Sequence, residues 1–152
     1  KTFNLAGILS SFIQIPRAEE LKAFKDALAK LEVASLTPFN LTAMKAALAE
    51  GEPWLSALVA YLQGNMDCVE NYFKENPSKI KFVRPEGTYL AWLDFRAYHM
   101  PQAELEKEMK ERCGLVLTGG AFFGAEGEGF MRMNVACPRS ILIDALNRLS
   151  KF

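Results

Sequence analysis

A long, unbroken run of helical periodicity sets the frame for this chain. Between Glu52 and Glu75, Leu55, Leu58, Val59, Leu62, Met66, Val69 and Phe73 fall on one stripe, with the three- and four-residue spacing of a single helix face. Asn76-Pro77 ends the run, because proline lacks the amide that a continuing helix would need. At about 1.5 Å per residue, a helix of this length crosses a whole small domain. It therefore predicts an element that joins two domains, with a boundary inside the helix or near Pro77. Gly64, in the middle of the stripe, predicts a bend, since an interior glycine costs about 1 kcal/mol against alanine.

Before this helix the pattern is mostly helical. Ile8 to Ile15 is apolar with small polar interruptions and is stopped by Pro16, a length and bounding that predict a strand. Leu21, Phe24, Leu28 and Leu31 recur at helical spacing, with Glu19 and Glu20 in the first turn where the helix dipole favours acid. Thr37 and Pro38 read as the N-cap and first residue of the next helix, which ends at Gly51.

After Pro77 strands and helices alternate. Lys79–Val83, Thr88–Phe95, Leu115–Leu117 and Gly129–Ala136 read as strands. Pro101–Arg112 reads as a helix with Leu105 and Met109 inward. Pro138–Leu149 reads as a closing helix with Ile141, Leu142, Ala145, Leu146 and Leu149 inward. This half is expected to form a small α/β layer. His99 reads as a turn or surface residue, and Cys137 as a small buried hydrophobe.

Charge and cysteine content exclude several classes of function. Eighteen basic residues balance eighteen acidic ones, so no net positive field argues for nucleic acid. No apolar run approaches the roughly 18–20 residues of a membrane span. Cys68, Cys113 and Cys137 are odd in number and lack CxxC spacing, which argues against a disulfide framework and fits a reducing, cytoplasmic setting. With His99 the only histidine, HExxH metal chemistry is excluded.

Two patterns bear on chemistry. Gly119, Gly120, Gly124, Gly127 and Gly129 follow a strand but lead into another strand, whereas a phosphate cradle needs glycines at a helix N-terminus. A mobile loop is the simpler reading, although Phe122 and Phe123 within it suggest a flap that packs on something. On the final strand, period-two alternation puts Met131, Met133 and Val135 on one face and Phe130, Arg132 and Asn134 on the other. Arg132 then either pairs with an internal acid or offers its fork to a ligand carboxylate. Taken by itself, the opening Lys1 reads as the incidental end of a processed fragment.

The segments KTFNLAG (1–7), PEGTYLAWLDF (85–95), LTGGAFFG (117–124) and EGFMRMNVACPRS (128–140), in this order and spacing, resemble the C-terminal part of fold-type-I pyridoxal-phosphate enzymes. The likeness is to the branch of cystathionine β-lyase-like carbon–sulfur lyases and related aminotransferases. The resemblance spans nearly the whole chain. It implies an α/β fold comprising the end of a large cofactor-binding domain (residues 1–60, with the start of the linking helix) and a small α/β domain (61–152, with the rest of that helix).

The resemblance also implies roles. Lys1 would be the catalytic lysine that carries pyridoxal 5'-phosphate and moves the proton at the substrate α-carbon. That role requires an amine deprotonated well below its ordinary pKa of roughly 10.4. Arg132 would grip the α-carboxylate of a small amino-acid substrate. Tyr89 and Gly87 would line the substrate site near its mouth, and Asn134 would at most support Arg132. No metal is implied. The parent enzyme would be a homodimer, with neither nucleic acid nor membrane as partner.

One departure bears on the reaction. Many class I aminotransferases place an arginine eight residues after the lysine, where this chain has Leu9. This tilts the reading towards β-elimination, with transamination to a 2-oxo acid as the alternative and a non-catalytic ligand sensor as a third. The pyridine-nitrogen partner, ring stacker and most phosphate ligands would lie before Lys1, so the isolated piece is expected to be inactive.

Overall fold

In a computed structural model, residues 2–33 and 36–152 are described; Lys1 lies outside them. The chain divides into two compact units, one running to Leu58 and the other from Val59 to Phe152.

The first unit is helical. Helix α1 (Ala18–Leu31) ends with Glu32 in the left-handed conformation. Helix α2 (Pro38–Glu50) begins as the sequence suggests, with Thr37 Oγ1 accepting the Asn40 amide at 3.3 Å and Pro38 in the first turn. The strand expected at Ile8–Ile15 is absent. This stretch is irregular, held by short local bonds from Ile8 to Leu5 and Ser10 to Ile8 and by Asn40 Nδ2 donating to the Leu9 carbonyl at 2.8 Å. A strand needs a neighbour to take its backbone groups, and none of the described residues of this unit supplies one. Neither α1 nor α2 buries a residue completely. Leu31, expected inward, is exposed, as are Leu9, Phe12, Ile13 and Phe39.

Helix α3 (Glu52–Glu75) runs without a break. Gly64, where a bend is expected, lies inside this continuous helix, and a Cβ there would run into the Arg139 guanidinium.

The second unit is a four-stranded antiparallel sheet in the order β1-β2-β4-β3, formed by Lys81–Val83, Leu90–Asp94, Phe130–Asn134 and Thr118–Gly119. The third strand was expected at Leu115–Leu117 but starts three residues later: Thr118 lies opposite Arg132, and Gly119 opposite Met131. One sheet face is core. Ala91, Leu93, Met131 and Met133 meet Met66 and Val69 of α3, Leu105 and Met109 of α4 (Gln102–Glu111), and Leu142, Leu146 and Leu149 of α5 (Arg139–Leu149). Ile141, expected inward, is exposed, because the buried stripe of α5 follows residues 142, 146 and 149 and position 141 lies about 100° away on the helix.

A buried polar network ties these layers together. Asn65, fully buried on α3, donates through Nδ2 to the carbonyls of Val135 (2.8 Å) and Cys137 (3.0 Å). Its Oδ1 accepts from Arg139 Nε at 3.1 Å. The Arg139 amide donates to the Tyr61 hydroxyl at 2.8 Å, and its guanidinium lies over the Tyr61 ring. Replacing Asn65 by leucine keeps the volume but strips hydrogen bonds from two carbonyls and a guanidinium. Since each buried orphan costs about 1–3 kcal/mol, we expect Asn65→Leu to lower the urea midpoint of the second unit by an equivalent of at least ~2 kcal/mol. An unchanged midpoint would show that the network contributes nothing.

Candidate functional site

The sheet face opposite the core carries the candidate residue Arg132. Alternation along β2 and β4 buries every second residue and turns Leu90, Trp92 and Asp94, with Phe130, Arg132 and Asn134, to the other side. The ladder sets Trp92 and Thr118 on either flank of Arg132 in one cross-strand row. The entry to β4 is fixed by Gly129, whose φ of +78° suits glycine. Its amide donates to the buried Gln102 Oε1 at 3.0 Å, and its carbonyl accepts from the Phe95 amide at 2.8 Å.

Arg132 is half-buried and meets no carboxylate within 4.0 Å among the described residues. The internal ion pair that the sequence left open is therefore not made by them. The guanidinium carbon lies 4.6 Å from the centre of the Phe123 ring, and Nη2 donates to Thr118 Oγ1 at a long 3.4 Å. Trp92 stands edge-on to Phe123 at 5.8 Å and stacks on Phe130 at 5.5 Å. Beside them Arg96 covers Phe130 and holds Asp94 with two side-chain bonds of 3.0 and 2.9 Å. The two arginines of this face thus differ: Arg96 is committed to an acid, and Arg132 is not.

The glycine-rich segment, expected as a mobile loop, has local helical structure. Gly120–Phe123 and Ala125–Gly127 form two tight helical turns. A Cβ on Gly120 would strike the Gly127 carbonyl, so the two backbones touch. Phe123 touches Trp92 and Arg132 but stays 49% exposed, and Phe122 is 82% exposed.

The other candidates lie elsewhere. Tyr89 precedes β2 on the alternation that leads to Ala91 and Leu93, and it packs against the core, so it does not share the face of Arg132. Gly87 sits in an exposed turn with open space where a side chain would be. Asn134 is exposed on the Arg132 face, and its Oδ1 accepts the Ala136 amide at 2.8 Å. His99 is a turn residue with φ of +54°. Cys137 lines a cleft of about 360 Å³ beside Arg132, Thr118 and Ile141, but burial pushes its thiol pKa up, which disfavours a nucleophilic thiolate. No group of three metal-ligating side chains occurs among the described residues.

Thr118, Trp92 and Phe123 were not recognisable as neighbours of Arg132 from the sequence. Their signal is the strand register, which period-two alternation does not supply. The Phe122-Phe123 pair was the one visible hint.

With this geometry in place, the similarities to known proteins fall into order. No family model matches the chain. It is 38% identical over 149 residues to cystathionine β-lyase PatB of Bacillus subtilis, covering 98% of this chain and 38% of that protein. It is 33% identical over 143 residues to protein MalY of Escherichia coli, covering 93% of this chain and 37% of that one. Cystalysin of Treponema denticola, solved with pyridoxal 5'-phosphate, superposes with a TM-score of 0.93 at 32% identity over 99% of this chain and 38% of its own. The chain is thus similar to the C-terminal part of cystathionine β-lyases and of solved pyridoxal-phosphate enzymes of fold type I. It spans about 38% of the length of these relatives.

The Asp94–Arg96 pair makes a pH prediction. The guanidinium holds the Asp94 carboxyl below its ordinary range. A depressed folded-state pKa contributes stability that is complete above the unfolded value of about 3.9 and disappears as pH falls through the lower folded value. We expect Asp94→Asn to flatten the acid limb of the stability profile below pH ~4. An acid limb of unaltered slope would remove this pair from the acid response.

Proposed function

We propose that this chain supplies the substrate-carboxylate clamp and the cofactor-bearing lysine of a pyridoxal-phosphate-dependent carbon–sulfur β-lyase. The substrates would be cystathionine- or cysteine-conjugate-like amino acids, and the products a thiol, pyruvate and ammonia. The observation that carries this reading is the Arg132 guanidinium: half-buried, without an acidic partner among the described residues, and on the open face of the sheet. Leaving an arginine unpaired in protein is costly unless a ligand completes it, and its planar fork matches a carboxylate with two parallel bonds. The lysine assignment rests on the match of Lys1 to the family motif.

In this reading Arg132 binds the α-carboxylate, which fixes the orientation of the remaining bonds at the substrate α-carbon. Lys1 holds pyridoxal 5'-phosphate and, as the free amine, takes the proton from that α-carbon. When bound, the cofactor serves as the electron sink that makes this proton removable and the carbon–sulfur bond labile. The described residues suit the substrate end of such a site and offer no phosphate cradle, because Gly119 and Gly120 are packed against Glu106 and Gly127. Tyr89 and Gly87 stay candidates for the mouth of the site.

We further propose that residues 1–60 belong to a large cofactor-binding domain and residues 61–152 to the linking helix and small domain of a cytoplasmic homodimer. Among the described residues no helix is long and apolar enough to cross a membrane. Transamination is the alternative reaction, and only elimination releases a thiol.

The test uses a polypeptide of full family length that ends in this sequence. With a cysteine-conjugate substrate it should release thiol and pyruvate in equal amounts. Arg132→Ala should lose about 2–4 kcal/mol of transition-state binding, roughly thirty- to several-hundredfold in kcat/KM. An unchanged kcat/KM would remove Arg132 from the site, and amino transfer without thiol would make the enzyme an aminotransferase.

A further inference from the structure

We propose that Phe123 is a positioning residue for the carboxylate clamp, holding the Arg132 guanidinium by its face so that its donors stay free for the substrate. This inference rests on Arg132 being the clamp. A guanidinium has five N–H donors at its edges and none on its faces. An acidic neighbour would orient it but would occupy the fork, so a substrate carboxylate would have to displace that acid. An aromatic ring orients it from the face through the ring quadrupole and uses no donor.

The two arginines of this sheet face show both solutions side by side. The Arg96 donors are taken by Asp94 at 3.0 and 2.9 Å. The Arg132 guanidinium lies 4.6 Å from the Phe123 ring centre, and among the described residues its edge meets only Thr118 Oγ1 at 3.4 Å.

The ring is itself held in place. Trp92 stands edge-on to the half-exposed Phe123 at 5.8 Å. The helical turn that carries Phe123 is closed at its base, where the Gly120 and Gly127 backbones leave no room for a Cβ. A ring set beside the guanidinium narrows the rotamers open to Arg132 without using any of its donors. Without the ring, Arg132 keeps its charge but samples other rotamers, and the entropy of fixing it falls on substrate binding.

The experiment is a double-mutant cycle in a polypeptide of full family length ending in this sequence, with an amino-acid substrate. Phe123→Leu should raise KM about five- to tenfold, the size of a partly desolvated cation–π contact, while kcat changes less than twofold. Phe123→Tyr, which keeps the ring face, should restore KM to within about twofold of the parent. In an Arg132→Ala background Phe123→Leu should have no further effect, because the ring then has nothing to orient.

A fall in kcat/KM of equal size in both backgrounds would overturn the proposal, since Phe123 would then act through the fold. Unchanged KM in Phe123→Leu, with Arg132→Ala still impaired, would overturn it while leaving the clamp intact. Full activity in Arg132→Ala would overturn the clamp and this inference together.

Discussion

The carboxamide of Asn65 is the contact on which the geometry of the second unit depends. A buried amide with three hydrogen bonds is held in one place, because any shift would leave carbonyls unpaired in an apolar interior. Two of its bonds go to Val135 and Cys137, directly after β4, and the third comes from Arg139 at the start of α5. The end of β4 is thereby tied to α3, while Gln102 and Gly129 tie its beginning to α4. With both ends fixed, a one-residue slip that would turn Arg132 into the core is excluded. Arg132 stands on a strand pinned at both ends, which would suit the proposed clamp, a group that must be placed to within a fraction of an ångström.

The open sheet face looks like a poor design for stability and a good one for binding. Trp92, Phe123 and Phe130 lie on it with an arginine that no described acid neutralises. Aromatic rings there exclude water from one side of the guanidinium and supply a weak, non-competing attraction, while the charge stays available. Arg96, a few ångströms from the Phe130 ring centre but locked to Asp94, shows what Arg132 would become if an acid stood beside it. The two arginines therefore differ in what occupies the edge of the guanidinium.

Much of this was legible in the sequence, and the failures share a cause. Helical periodicity located α1 to α5 to within a residue or two, and period-two alternation put Arg132 on the face away from the core. Both are local signals that survive without tertiary information. The run at Ile8–Ile15 has the composition of a strand, but pairing is a property of the neighbour, and the described chain provides none. The placement of β3 at Thr118–Gly119 instead of Leu115–Leu117 is a matter of register, as is the meeting of Thr118 and Trp92 with Arg132. A glycine inside a helix predicts a bend at Gly64 and gives no sign that the guanidinium of Arg139, 75 positions later in the sequence, lies where a side chain would stand. Long-range close approaches of this kind leave no periodic trace.

The central claim is that the free edge of Arg132 receives a substrate carboxylate. The most direct measurement is a crystal structure of a polypeptide of full family length ending in this sequence, with an unreactive amino-acid analogue bound. The account predicts both carboxylate oxygens on the Arg132 guanidinium at about 2.7–2.9 Å, with the ring of Phe123 still against its face. A carboxylate held by another cation, with Arg132 turned to an acidic side chain, would contradict it.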